Sequence, residues 1–322
     1  MKLNECAAFG GLQNLNDDSI ELRHLQISDG VMIHTCNDYK NSIEVIRKAN
    51  FKKNKVSLIL KVYFNYPDKR NRRFRDIFSQ IDESLKRLTF LPDKFILQLC
   101  CCMPRNVLMS SYFENFIFQI KNRYSIERIN LEYYPVYNYD FKLFNSLNNN
   151  FKGDFSFGIT SYYNFLNRAI TNKEYEILIE NNIPFYPIGF LGKNAKRDKK
   201  VFLHDLKLNN DYENFDEIDL NIMFLLNHIK RNRKKVYGIT ETSSLKNYID
   251  LKERFKKNHN IKDSYYNDLE IKILKKNKIN LIEKDHYGGK HFFQEYLYNW
   301  KLFPSKIKKK IFYLKKSEYF FK

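Results

Sequence analysis

Short runs rich in β-branched and aromatic residues recur along the chain, and longer segments of helical period separate most of them. The candidate strands are Glu5 to Phe9, Gly30 to Cys36, Val56 to Phe64, Lys94 to Met103, Ile126 to Tyr134, Phe155 to Tyr163, Pro184 to Leu191 and Lys235 to Thr240. Candidate helices fill the gaps at Ser42 to Ala49, Arg73 to Leu88, Tyr112 to Arg123, Asp140 to Leu147, Asn172 to Asn181, Asp216 to Ile229 and Leu245 to Lys257. Strands that alternate with helices pair in parallel, because each helix carries the chain back to the edge where the next strand starts. Eight such strands close into a barrel, so the pattern predicts an α/β fold of the (β/α)8 TIM-barrel class. In the second helix Phe74, Ile77, Phe78, Ile81, Leu85 and Leu88 recur at three- and four-residue spacing, which predicts one face packed on the sheet.

A length of 322 residues suits about two domains or one such barrel and does not decide between them, and 28 Phe with 23 Tyr supply a large core. The mean hydropathy of -0.58 and the lack of any apolar run of about 18 residues argue against a membrane-spanning chain. The amino terminus carries one lysine, then Asn4 and Glu5, without the long apolar segment of a secretory signal, so a cytoplasmic location is expected. Cys100, Cys101 and Cys102 are consecutive, and Cys6 and Cys36 make no CxxC pair, so no metal site is expected and the cysteines read as buried small side chains. The net charge of +19 is spread over the whole length beside abundant asparagine, a coding bias rather than a designed patch. Nucleic acid or an anionic surface is therefore the less favoured partner, reachable only through the tail. There Lys306, Lys308, Lys309, Lys310, Lys315 and Lys316 interleave with Ile307, Ile311, Phe312 and Leu314.

Two regions depart from the alternation. Gly192 to Tyr212 is polar and basic without a period and reads as a long loop after the seventh strand, over one barrel end. Beyond Lys257 the chain becomes a lysine- and aromatic-rich extension that holds Trp300 and the Gly288-Gly289 turn. The expected organisation is a barrel over residues 1–257 and a basic carboxy-terminal extension over 258–322.

The chemistry concentrates at strand ends. Tyr39 follows the run Val31 to Ile33 and Lys61 follows Val56 to Leu60, the carboxyl ends of two strands, where barrels and open parallel sheets build their sites. An ammonium beside a tyrosine stabilises the phenolate and eases release of the proton, the property needed in an acid for carbonyl reduction.

Ser84 to Leu88, followed by Leu91-Pro92-Asp93 and the strand Phe95 to Met103, resembles the aldo-keto reductase family. His34-Thr35-Cys36-Asn37-Asp38-Tyr39 with Ser42 and Glu44 resembles the family's Asp-Thr-Ala-x-x-Tyr segment and the Ser-Glu pair after it. Leu60-Lys61 resembles the strand end that carries its lysine, Tyr163 to Arg168 its Tyr-Asn-Leu-Leu stretch, and Ile183 to Leu191 its seventh strand. The resemblance runs from about Cys6 to Lys257 in order and spacing. It implies a (β/α)8 barrel that binds NADP(H) or NAD(H) in an extended pose without a Rossmann fingerprint, and that passes hydride to a small carbonyl substrate. It further implies that Tyr39 donates the proton and Lys61 lowers its pKa.

Two of the four catalytic positions differ from the family's pattern. His34 stands where the family has aspartate, and Cys102-Met103-Pro104 where it has Leu-x-His-x-Pro. A neutral imidazole does not neutralise Lys61 as a carboxylate does, and a thiol is a weak donor to a developing alkoxide. Glu132, near the end of the fifth strand, replaces the lost carboxylate if it turns inward. The family's cofactor positions fall on Glu132 and Tyr133 for its Ser-Asn pair, on Thr160 for its glutamine and near Ile188 for its stacking aromatic, with Asn164 in the matching Tyr-Asn stretch. Gly10 and Gly11 after the first strand permit close approach of a cofactor or simply make a turn. Thr242, Ser243 and Ser244 with Lys246 open a helix after the eighth strand, which suits an N-cap or a phosphate. Two alternatives stay open beside the reductase: a thiolate site built on Cys102 and His34, and a catalytically degenerate barrel that binds a ligand or partner without turnover.

Overall fold

The computed structural model describes residues 7–9, 31–37, 39, 41–49, 56–63, 77–88, 93–100, 111–132, 142–151, 156–162, 172–188, 218–219, 222–223, 226–227, 238–240 and 253–258. Its strands are β1 (Ala7–Phe9), β2 (Val31–Cys36), β3 (Val56–Tyr63), β4 (Phe95–Cys100), β5 (Ile126–Glu132), β6 (Ser156–Tyr162), β7 (Phe185–Ile188) and β8 (Gly238–Thr240). Every neighbouring pair is parallel, and β1 pairs with β8, so the sheet closes in sequence order. Each strand lies within the run expected from sequence. The helices are α1 (Ser42–Ala49), α2 (Ile77–Arg87), α3 (Ser111–Arg123), α4 (Lys142–Asn150) and α5 (Asn172–Glu180), with further helical residues at 218–219, 222–223, 226–227 and 253–258. The long loop after β7 and the basic extension beyond residue 258 lie outside the described residues.

Strand side chains alternate between the two faces, and register partners share a face. Thr35 points outward, since its hydroxyl shares a buried 2.7 Å hydrogen bond with Ser42 of α1. Ile33, Leu58, Leu60, Leu97, Leu99, Ile129, Leu131, Phe157 and Ile159 lie on that outer face and are buried, which makes the contact between strands and helices the apolar core. Tertiary packing also corrects the sequence reading of α2. Its buried residues are Ile77, Gln80, Ile81 and Ser84, with Leu88 just beyond, while Phe78 and Leu85 sit at the margin. The Ser84 hydroxyl donates to the Gln80 carbonyl at 2.7 Å, so a polar side chain enters the interface with its hydrogen bond made locally. Phe78 packs instead against Phe116 of α3, with ring centroids 5.8 Å apart.

Helix α4 runs three residues past the expected Leu147, because Asn148 is held from outside the helix: its carboxamide oxygen accepts from the Phe157 amide of β6 at 2.7 Å. At the end of α5, Asn182 has φ of 55°, its amide donates to Ile179 at 3.0 Å, and the Ile183 amide donates to Leu178 at 2.9 Å. This left-handed cap turns the chain directly into β7. The buried carboxylate of Asp219 accepts from Arg254 at 3.1 Å and from the Asn258 amide at 2.9 Å, tying residues 253–258 to the preceding helical stretch. Among the described residues no helix is long and apolar enough to cross a membrane.

Candidate active site

The loop from β2 to α1 is five residues long and tightly braced. The Tyr39 amide donates to the Cys36 carbonyl at 3.0 Å, and the Ser42 amide donates to the Tyr39 carbonyl at 2.7 Å. From the side, Asn37 is clamped by α2: its amide donates to Glu83 at 2.9 Å, and Arg87 donates to its oxygen at 2.7 Å. Four hydrogen bonds thus brace the loop that carries Tyr39.

Cys36 pairs in register with Lys61, Lys61 with Gln98, Gln98 with Asn130 and Asn130 with Gly158. Glu132 pairs with Thr160, and Thr160 with Tyr186. Because Thr35 faces outward, His34 and Cys36 face inward, and these register partners line the inside of the barrel with them. The outer face of the sheet is therefore mostly apolar, whereas the inner face sets these polar side chains beside the buried Met32, Ile59 and Ile96. Most TIM barrels fill the inside with bulky branched side chains.

Lys61 Nζ lies 5.9 Å from the centroid of the Tyr39 ring, the outer limit of a cation–π contact. The His34 ring meets Tyr39 edge-on with centroids 6.0 Å apart. Burial, and next the positive charge of Lys61, lower the His34 pKa from 6.5 to about 3. The nearby Gln98 side chain opposes that drop without closing a hydrogen bond to either ring nitrogen. His34 is therefore a neutral imidazole at physiological pH. Glu132 is buried and turned inward, as its replacement of a carboxylate requires. The Thr160 hydroxyl is buried and has no hydrogen-bond partner among the described residues.

The fold brings Tyr39, Lys61 and His34 together and places Glu132 and Thr160 on the same inner face. Cys102, Gly10, Gly11, Asn164, Thr242, Ser243, Ser244 and Lys246 lie outside the described residues. Cys36 is buried, in line with its reading as a small interior side chain. The sequence reading missed Gln98 and Asn130. A polar residue at every second strand position, as in Arg128-Ile129-Asn130-Leu131-Glu132, is the signal that marks such an inward row.

No family model matches this sequence, and no curated protein matches it. Solved structures do. An aldo-keto reductase from Klebsiella pneumoniae in complex with NADPH aligns over 83% of this chain and 90% of its own, at 15% identity and a TM-score of 0.59. An aldose reductase from Giardia lamblia aligns over 88% and 96%, at 14% identity and a TM-score of 0.57. An aldo/keto reductase from Brucella melitensis aligns over 83% and 92%, at 13% identity and a TM-score of 0.54. Closed parallel topology and coverage of most of both chains agree, and this protein has the eight-stranded barrel fold of these aldo-keto reductases.

Proposed function

We propose that this chain is a divergent NAD(P)H-dependent oxidoreductase of the aldo-keto reductase type, reducing a carbonyl or sugar-like substrate. The observation that carries the reading is the Lys61 ammonium set 5.9 Å from the Tyr39 ring at the carboxyl ends of β2 and β3. In this reading the Tyr39 hydroxyl gives its proton to the carbonyl oxygen, and Lys61 stabilises the phenolate left behind. His34, uncharged at neutral pH, does not balance Lys61, and Glu132 takes that part as the buried carboxylate of the inner face. By the resemblance, Cys102 stands in sequence where the family has its oxygen-orienting histidine, and it would take that role here.

The buried Thr160 hydroxyl, without a hydrogen-bond partner among the described residues, fits a nicotinamide carboxamide. A bound NADPH in the K. pneumoniae neighbour supports the same class of cofactor. When bound, the reduced nicotinamide supplies the hydride. Gly10 and Gly11 would admit the cofactor backbone, Asn164 would stand beside its amide, and Thr242, Ser243, Ser244 and Lys246 would hold a phosphate. The barrel spans residues 1–257 in this reading, and 258–322 form an added basic extension.

A second reading, a barrel that binds a ligand or partner without turnover, is favoured by one observation: a neutral His34 in place of an acid. Titration with NADPH and NADH at two salt concentrations, alongside carbonyl reduction by the wild type and Tyr39→Phe, separates the two. The reductase binds nucleotide at about micromolar affinity despite added salt. Tyr39→Phe then abolishes reduction with nucleotide affinity nearly unchanged, and equal turnover in the variant refutes the role of Tyr39. Absence of nucleotide binding selects the second reading.

A further inference from the structure

The inner face holds two sets of polar groups with opposite fates. Near the amino-terminal ends of the strands the partly buried Arg128 is held by β6 and β7. Its Nε donates to Ser156 at 2.9 Å, its Nη1 donates to the Tyr186 hydroxyl, and the guanidinium lies 5.8 Å from the Tyr186 ring. This group lies toward the barrel floor as a plug with two of its hydrogen bonds made to neighbouring strands.

Between that plug and Lys61 lie His34, Gln98 and Asn130, each at most 2% exposed. Both ring nitrogens of His34, Oε1 of Gln98, and both Oδ1 and Nδ2 of Asn130 have no hydrogen-bond partner among the described residues. Gln98 and Asn130 are register partners on adjacent strands, and Gln98 also neighbours His34 across the interior. Gly158, next in register, leaves room for the Asn130 carboxamide, since a Cβ there would come within 2.5 Å of Asn130 Oδ1. Five polar atoms kept dry would together cost much of the net stability of a domain.

The mixture of groups identifies the guest. A neutral imidazole offers one donor and one acceptor, the Asn130 carboxamide offers both, and Gln98 Oε1 accepts. A cation there would face the Lys61 ammonium, and an anion would face two carboxamide oxygens. Water, which donates twice and accepts twice, matches the set. We propose that His34, Gln98 and Asn130 enclose a hydrated chamber at the centre of the barrel, beneath Lys61, in which ordered water bridges the three side chains. The chamber gives the inner side of the Tyr39–Lys61 site a polar medium where most barrels have hydrocarbon. It does not depend on the reductase reading.

Gln98→Met and Asn130→Leu, made singly and together in the full chain, test it by thermal unfolding. Both substitutions nearly keep shape and remove the hydrogen-bonding atoms. If water bridges the groups, each single variant strands the remaining partners and lowers Tm by about 2–4 °C. The double variant then loses clearly less than the two single losses combined, because the partners act as one unit. A rise in Tm in the single variants, expected when dry orphaned groups are relieved, overturns the chamber, as does plain additivity. Should a variant fail to fold, a high-resolution crystal structure of the unmodified protein decides. Ordered density bridging the three side chains supports the chamber, and direct hydrogen bonds among them overturn it.

Discussion

Acid should weaken this fold in part through His34. Its imidazole is held at about 3 in the folded protein, against 6.5 for an unperturbed histidine, because burial and Lys61 both penalise its charged form. The folded state therefore binds fewer protons than the unfolded chain between these values, and stability falls as pH drops through that window. Above about pH 7 both states carry a neutral ring and the residue contributes no pH dependence. From the two pKa values, linkage gives a loss of about 2 kcal/mol at about pH 5, approaching about 5 kcal/mol near pH 3. Other groups titrate over the same range, so the informative quantity is the difference between the wild type and His34→Phe, which keeps a planar ring and does not titrate. Urea unfolding of both proteins at about pH 7.5 and about pH 5 should show the wild type losing roughly 2 kcal/mol more than the variant on acidification. Equal losses would mean that His34 charges freely in the folded state, and the account of a neutral imidazole beside Lys61 would fail.

Asn37→Ala removes both side-chain bonds that α2 makes to the Tyr39 loop. On the reductase reading it lowers kcat about tenfold or more through misplacement of the tyrosine, with nucleotide affinity and Tm little changed; unchanged kcat would show that the backbone turn suffices. Gly158→Ala drives a methyl group into Asn130 Oδ1 at 2.5 Å and toward the Pro184 carbonyl at 3.0 Å. It should destabilise the protein by about 1–3 kcal/mol in urea unfolding, and a variant as stable as the wild type would show that the Asn130 side chain yields freely.

Most of the architecture was legible in the sequence. Runs such as Val56-Ser57-Leu58-Ile59-Leu60 and the helical spacing of the intervening segments encode local periods, and a parallel barrel follows from repeating them eight times. The strand runs matched because apolar content at strand positions is a local property. The packing of α2 was less legible, since Gln80 and Ser84 are polar by composition and buried by contact with the sheet.

Tyr39 and Lys61 stood out in sequence because strand ends are where parallel barrels place chemistry. Their actual approach, and the drop in the pKa of His34, depend on how β2, β3 and β4 are set side by side. Residues 34, 61 and 98 have no local relation that periodicity could reveal. Gln98 and Asn130 went unremarked in the sequence, and it is closure of the sheet that turns them toward one shared interior. The sequence by itself determined the elements, their order and the number that closes. Only the tertiary structure decided which polar side chains face one another away from water, because that depends on register and closure between segments far apart in the chain.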